Sequence, residues 1–311
     1  MESQPFKRLM LVVNPHSGRG LSNSTLGIIV NRLCADGFCV TVYMTGLRSA
    51  EELTAGFGAG YDLIVCVGGD GTLSGAISGL MRLASPPPVG YIPTGTANDI
   101  ASTLSLPRDP QLAIQSIIKG VSAPFDIGCF GDKYFAYIAA FGAFTGVSYL
   151  TPQSAKRALG HLAYILGGLA DLSAIKPRHT IVEHDGGVVE GSFIFGGVTN
   201  STSVAGLAKL SPSDVNLSDG LFEVVLVRQP VSIRDLSDII ASIIKKSYQS
   251  DNVRMLHTSK VRFKFDEAVA WTRDGEDGGV HTRVEIKNMA RAVRILLGGS
   301  SPLATRSQLW Y

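Results

Sequence analysis

No segment of this chain reads as a convincing membrane span. The longest uncharged stretch, Tyr134 to Ser154, has the length for one. Gly142, Gly146 and Pro152 interrupt it, however, and it opens with strand-like aromatic residues, so it reads as domain core. The start, Met1-Glu2-Ser3-Gln4-Pro5, lacks the basic-then-apolar layout of a signal peptide. Cysteine is sparse: Cys34, Cys39, Cys66 and Cys129 show neither disulfide nor zinc spacing, which fits a reducing cytoplasm. A large charge of one sign is also missing. With 28 basic and 26 acidic residues the net charge is +2, so there is no general footprint for nucleic acid. The usual phosphate motifs are absent as well. No G-x-x-x-x-G-K-[ST] occurs, and a G-x-G-x-x-G begun at Gly69 breaks at Ser74. Any nucleotide must therefore be held in another way.

What is present is a globular composition, 45% apolar, with 35 glycines spread over 311 residues, a length comfortable for two domains. The first part alternates strand and helix. Leu9–Val13 is a strand running into Asn14–Gly20, and a helix over about 22–35 places Leu26, Ile29, Val30 and Leu33 on one face. A strand over Cys39–Met44 and a short helix over Ser49–Ala55 follow. The uncharged run Leu63–Val67 reads as a strand buried on both faces. It leads into Gly68-Gly69-Asp70-Gly71-Thr72 and a helix carrying Ala76, Ile77, Leu80 and Met81. The strand Val89–Ile92 leads to Pro93–Asp99, and Asp109-Pro110 starts a helix that runs to about Lys119. This alternation implies a doubly wound parallel sheet with helices on both faces.

Functional loops in such sheets lie beyond the carboxyl ends of the strands. Three loops qualify, Asn14–Gly20, Gly68–Thr72 and Pro93–Asp99, and the Thr45–Ala50 turn can join them. In Gly68–Thr72 the glycines let backbone approach a ligand, and the amides with the following helix start suit an anion. Asp70 is out of place beside a bare anion and makes sense if a divalent cation lies between. The tetrapeptide Gly68-Gly69-Asp70-Gly71 also reads as a tight strand-to-helix turn in which Asp70 is only a cap.

After about Pro124 the pattern changes. Phe125–Phe130 and Lys133–Phe141 look like a hairpin around Gly131-Asp132, and a helix is expected over about Ser154–Ala174. Short strands follow: Thr180–Asp185, Val188–Gly197, Phe222–Val227, Lys260–Phe265, Val269–Thr272, Val280–Ile286 and Ala292–Leu297. One helix, Ile233–Lys246, interrupts them. This grammar suggests an antiparallel β-sandwich. Two of its turns are rich in oxygen, Asn216–Leu221 with Asp219, and Trp271–Gly279 with Asp274 and Glu276. Each also reads as an ordinary polar turn.

Asn14-Pro15-x-Ser17-Gly18, Gly68-Gly69-Asp70-Gly71-Thr72, Pro93-x-Gly95-Thr96-x-Asn98-Asp99, Asp219-Gly220 and Asp274-Gly275-Glu276 occur together and in this order. In that arrangement the chain resembles the diacylglycerol-kinase catalytic-domain superfamily, in its small soluble bacterial branch. The resemblance covers Leu9 to about Leu297. It implies a nucleotide-binding α/β domain, NAD-kinase-like, over 1–125, with 299–311 returning to it. A β-sandwich lipid-substrate domain over 126–298 and an active site in the cleft between the two complete the plan. It also implies an ATP- and Mg²⁺-dependent lipid kinase with diacylglycerol as the favoured acceptor. By resemblance, Gly68, Gly69, Gly71 and Thr72 cradle the nucleotide phosphates with Asn14, Ser17, Thr45, Thr96 and Asn98, and Arg19 offers positive charge. Asp70 holds the catalytic Mg²⁺ and Glu276 is the base that deprotonates the lipid hydroxyl. Asp99, Asp126 and Asp274 support this acidic network. A second, structural Mg²⁺ takes the Asp219 side chain and backbone carbonyls at Asn216 and Leu221.

The chain departs from many relatives at Ser74-Gly75, where Asn-Glu is common, and at Thr45–Ala50, which lacks a His-Ala pair. The rival readings are NAD kinase, which shares the Gly-Gly-Asp-Gly turn, and a non-catalytic sensor of lipid or nucleotide. A lipid acceptor with no span in the chain implies peripheral association with a membrane from the cytoplasm, and the reading admits a homodimer. Lys260, Arg262 and Lys264 share one strand face that can bias such docking, or can simply be solvated.

Overall fold

The structure, a computed structural model, describes residues 7–18, 20–142, 176–201, 203–204, 208–209, 215–245 and 248–298. Arg19, the helix expected over Ser154–Ala174 and the return segment 299–311 lie outside the described residues. The chain divides into two compact units. One takes the chain up to Phe125 and again from Arg291, and the other is Asp126–Ala290.

In the first unit the elements run β1 (Lys7–Val13), α1 (Asn23–Ala35), β2 (Phe38–Met44), α2 (Ala50–Phe57), β3 (Leu63–Gly68), α3 (Asp70–Leu80), β4 (Val89–Pro93), α4 (Asp99–Thr103) and α5 (Pro110–Lys119). The sheet is parallel in the order β2-β1-β3-β4. β3 and β4 are buried along their whole length, as expected of strands covered on both faces. On one face Leu9, Leu11, Val13, Leu63, Val65 and Val67 pack with Ile29 and Leu33 of α1 and with Ala113, Ile114 and Ile117 of α5. On the other, the side chains of Ile64 and Leu80 both approach Gly58, just past the end of α2. Local signals set the helix starts. Ser49 and Glu52 form a reciprocal capping box on α2, and Asp109 accepts from the Leu112 amide ahead of Pro110 on α5.

The second unit carries β6 (Lys133–Phe135), β7 (Ile138–Gly142), β8 (Arg178–His184), β9 (Gly187–Thr199), β10 (Ser203–Val204), β11 (Ala208–Lys209), β12 (Phe222–Arg228), α6 (Ile233–Lys245), β13 (Val253–Thr258) and β14 (Lys260–Arg273). β5 (Val121–Phe130) enters this unit and β15 (Glu276–Leu297) leaves it. The strands pair antiparallel, β13 on β12, β12 on β9 and β14 on β15. β7 and β8 fill one strand position end to end between β9 and β14. Gly142 pairs with Phe195, and Arg178 resumes at Phe193. Inward side chains of these strands form one core, with Phe141, Phe193, Phe263, Phe265 and Trp271 among its members. Phe141 lies edge-on or tilted against Phe263, Phe265 and Trp271 at centroid distances of 5.7, 4.9 and 5.0 Å.

Several boundaries differ from the sequence reading. Lys260–Phe265 and Val269–Thr272 are one strand, β14, whose register shifts between Lys264 and Val269. Its exposed Asp266-Glu267-Ala268 bulge mimics a turn. Val280–Ile286 and Ala292–Leu297 likewise belong to β15, in which a polar stretch around Arg291, at φ 53°, breaks the apolar alternation. The return to the first unit begins at Arg291, earlier than expected, because Ile295 pairs with Val89 of β4. β13 and α4 had no counterpart in the expectations.

Candidate active site

The strand-end loops of the first unit meet backbone to backbone. A Cβ on Gly18, which sits at φ +62°, would lie 2.2 Å from the Thr94 carbonyl oxygen, and one on Gly95 would lie 2.6 Å from the Gly69 Cα. Only glycine permits this closeness. The Gly68 carbonyl accepts from the amides of Thr94 at 2.8 Å and Gly95 at 3.2 Å. Asn14, whose amide donates to Val67, gives its Nδ2 to the Thr72 hydroxyl at 3.2 Å. The Thr45 amide donates to Val13 at 2.8 Å, which sets the turn after β2 beside Asn14. A Cβ on Gly69 would stand 3.3 Å from the Ser17 hydroxyl. Asn14, Ser17, Gly68, Gly69, Thr72 and Asn98 are thus brought together through the loops that carry them. Gly71 and Thr96 are exposed at their rims. No side chain caps the start of α3 at Gly69, so this helix presents its first-turn amides as an anion-seeking terminus. Ser74 and Gly75 lie within α3, where a Cβ on Gly75 would sit 3.5 Å from the Ala50 Cβ at the start of α2. The small pair fits close packing of the two helices.

Asp70 is hydrogen-bonded through both oxygens. Oδ2 accepts the Asp99 amide at 2.9 Å and Oδ1 accepts the Ile100 amide at 3.1 Å. These are the first amides of α4, so Asp70 caps a neighbouring helix and joins the Gly68–Thr72 turn to the Asp99 segment. Of the two readings left open from the sequence, the capping contact that is visible is the one to α4. Asn98, in the left-handed conformation at φ 53° and ψ 49°, starts α4 and donates from Nδ2 to the Gly95 carbonyl at 2.7 Å. One residue of this cluster had no role in the sequence reading. The Tyr91 hydroxyl lies 3.3 Å from both the Gly68 carbonyl oxygen and Asn98 Oδ1. Its only signal in the sequence is an aromatic alcohol inside an otherwise aliphatic strand.

In the second unit, Asp274 and Gly275 form the tight turn from β14 to β15 at φ 48° and 84°. Asp274 is 7% exposed and accepts three backbone amides: Ala136 at 2.6 Å, Tyr137 at 3.0 Å and Ile138 at 3.0 Å. The described bonds make it the clamp between this turn and the β6–β7 connection. Glu276, two residues on, is exposed at the start of β15. Holding the turn down places Glu276 at the surface on a fixed base.

Asp126, fully buried, is bonded into the Asn216–Leu221 turn. Its amide donates to Leu217 and its Oδ2 accepts the Gly220 amide at 2.7 Å. Asn200 Nδ2 donates to the Asp126 carbonyl, and Asn288 Nδ2 reaches the Leu221 carbonyl at 3.1 Å. Within the turn, Asp219 Oδ1 accepts the Leu221 amide and Asn216 Oδ1 accepts the Ser218 amide. Asp126 therefore groups with Asp219 here, while Asp99 groups with Asp70. Among the described residues no cluster of three or more His, Cys, Asp or Glu side chains stands ready for a metal. The oxygen donors at Asp70, and at Asp219 with the turn's carbonyls, are of the type that hard cations take.

The basic face of β14 is heavily compensated. Lys260 at 3.2 Å, Lys287 at 2.7 Å and Arg262 all pair with Glu285, and Lys264 pairs with Glu183. No helix among the described residues is long and apolar enough to cross a membrane.

Comparison with known proteins accounts for this combination. Residues 8–130 match the family model described as "Diacylglycerol kinase catalytic domain", and residues 142–297 match the "YegS C-terminal NAD kinase beta sandwich-like domain". A diacylglycerol kinase of Bacillus subtilis (strain 168) is 30% identical over 296 residues, covering 94% of this chain and 97% of its own. A diacylglycerol kinase of Staphylococcus aureus (strain JH9) is 36% identical over 227 residues, 72% of this chain and 71% of that one. In fold, the chain is similar to a solved diacylglycerol kinase structure from Bacillus anthracis str. Sterne, with a TM-score of 0.75 at 21% identity over 96% of this chain and all of that one (100%). The α/β unit with its glycine-packed loops, the β-sandwich unit and these relatives agree: the chain belongs to the diacylglycerol kinase family of lipid kinases.

Proposed function

We propose that the protein transfers the γ-phosphoryl group of ATP to the free hydroxyl of diacylglycerol, giving phosphatidic acid. The observation that carries this is the meeting of three strand-end loops through Gly18, Gly69 and Gly95 around the uncapped start of α3. Such a surface of backbone amides suits a polyphosphate. In this reading Gly68, Gly69, Gly71 and Thr72 hold the phosphates with Asn14, Ser17, Thr45, Thr96 and Asn98, and Arg19 adds positive charge. Asp70 would hold Mg²⁺, and Asp219 with the Asn216 and Leu221 carbonyls would hold a structural Mg²⁺. When bound, the cation neutralises charge on the phosphate oxygens, which is most of what phosphoryl transfer asks of a protein. Asp70, held through amides at both oxygens, keeps its position while doing so. Glu276 takes the proton of the lipid hydroxyl as its oxygen bonds to the γ-phosphorus and ADP leaves. Asp274 keeps the Glu276 turn in place, and Asp99 and Asp126 order the neighbouring loops. The protein works from the cytoplasm and meets its substrate by peripheral association with the membrane. Two copies forming a homodimer fit this reading.

The test is transfer of labelled phosphate from ATP, with and without Mg²⁺, to a panel of diacylglycerol, monoacylglycerol, phosphatidylglycerol, sphingosine, ceramide and NAD. Label in phosphatidic acid, dependent on Mg²⁺, is the expected result. Label only in NADP would transfer the assignment to NAD kinase. ATP binding with no transfer to any acceptor would favour a sensor.

A further inference from the structure

Tyr91 places a hydroxyl in the middle of the first unit, in a strand otherwise lined by Val89 and Ile92. It is 1% exposed, and a buried hydroxyl must find a partner or lose its hydration without return. Its partners are both in the phosphate-facing loops. One phenolic proton is shared between the Gly68 carbonyl oxygen and Asn98 Oδ1, each at 3.3 Å. Gly68 already accepts the Thr94 and Gly95 amides, so the hydroxyl adds a third donor to the atom on which two loops converge. Asn98 is 4% exposed and held in a left-handed conformation, at the head of the helix whose first amides grip Asp70. Moving the Asn98 side chain would therefore move the amides that fix Asp70. Burial first, and then the negative charges of Asp70 and Asp99, push the phenol's pKa up. Tyr91 thus stays a proton donor at any working pH.

We propose that Tyr91 is a positioning residue for the nucleotide: its hydroxyl ties Gly68 to Asn98 and so holds the Gly68–Thr72 amides and Asp70 in their places. This rests on reading Gly68–Thr72 as the phosphate cradle. The role predicts an effect on ATP and none on the lipid. Tyr91→Phe in the full chain keeps the ring and removes only the hydroxyl. Its KM for ATP should rise about tenfold, the equivalent of about 1.4 kcal/mol for one buried hydrogen bond. Its KM for diacylglycerol in mixed micelles should stay within about twofold of wild type. A purely structural role would instead lower kcat with the folded fraction, followed by circular dichroism, and leave KM for ATP unchanged. That outcome overturns the proposal. Should Tyr91→Phe not fold, Tyr91→Met, which also fills the buried site without a hydroxyl, is read in the same way. Thr72→Ala separates the two layers of the argument. If it raises KM for ATP while Tyr91→Phe does not, the role of Tyr91 fails and the cradle stands. If neither moves it, the cradle reading fails and takes the Tyr91 role with it.

Discussion

Replacing Asp274 by Asn isolates the clamp beneath the Glu276 turn. Asn tolerates the left-handed conformation at φ 48°, so the backbone conformation itself is not penalised. The carboxamide oxygen can serve the Tyr137 and Ile138 amides in place of Oδ1, at 3.0 Å each. Its NH₂ then faces the Ala136 amide, which Oδ2 accepts at 2.6 Å, and a donor meets a donor in a site 7% exposed. A buried unsatisfied amide costs about 1–3 kcal/mol, and loss of the charge weakens the other two bonds by about 0.5 kcal/mol each. The sum, about 3 kcal/mol, corresponds to a fall in Tm of ~6–12 °C for a unit of this size. Trp271, 1% exposed and three residues from the substitution, reports the transition by fluorescence, in a Trp310→Phe background so that one indole gives the signal. A midpoint within about 0.5 kcal/mol of wild type would refute the clamp. Because Asn holds the turn less firmly, kcat should also fall, with KM for ATP little changed.

Other outcomes follow from the same geometry. Gly95→Ala, whose Cβ would stand 2.6 Å from the Gly69 Cα, should weaken ATP binding by more than about tenfold in titration calorimetry, while Gly46→Ala, with nothing within 4 Å, should not. Glu276→Gln should lower turnover about a thousandfold or more with Tm unchanged, since the side chain is exposed; near-normal rates would remove it as the base. Asp70→Asn should abolish turnover and also destabilise the first unit by about 1 kcal/mol, as one oxygen of the α4 cap is lost. Lys287, Arg262 and Lys260 hold the Glu285 carboxyl down at about 2. Because the folded value lies below the unfolded one, this cluster stabilises at neutral pH, and its contribution fades as pH falls from about 4.5 towards 2. The side chain is a third exposed (32%), which limits the effect to about 1 kcal/mol. Glu285→Gln should therefore flatten the stability curve over that range.

How much of this was legible beforehand differs between the two units. The first was readable because its signals are local. Uncharged runs such as Leu63–Val67 read as strands covered on both sides, and Asp109 with Pro110 announces a helix start within two residues. The second unit was less legible, because its strands are bent and interrupted. The exposed bulge after Phe265 looks like a turn, and only pairing with β15 shows β14 to be continuous. β7 and β8 share one strand position although thirty-five residues of sequence separate Gly142 from Arg178, by their numbers alone.

The order of glycine and acidic motifs, readable from residue types, determined the family and the residues of interest. It could not say what each carboxylate touches, because a hydrogen bond between residues far apart in sequence leaves no periodic trace. As residue types Asp70, Asp126 and Asp274 look alike, although Asp70 and Asp274 lie in glycine turns and Asp126 in a strand. Tertiary structure separates them: Asp70 grips the start of α4, Asp126 the 216–221 turn, and Asp274 the amides of Ala136, Tyr137 and Ile138. Tyr91 is the extreme case. Its side chain counts as one more apolar residue of a buried strand until the fold brings Gly68 and Asn98 within reach of its hydroxyl.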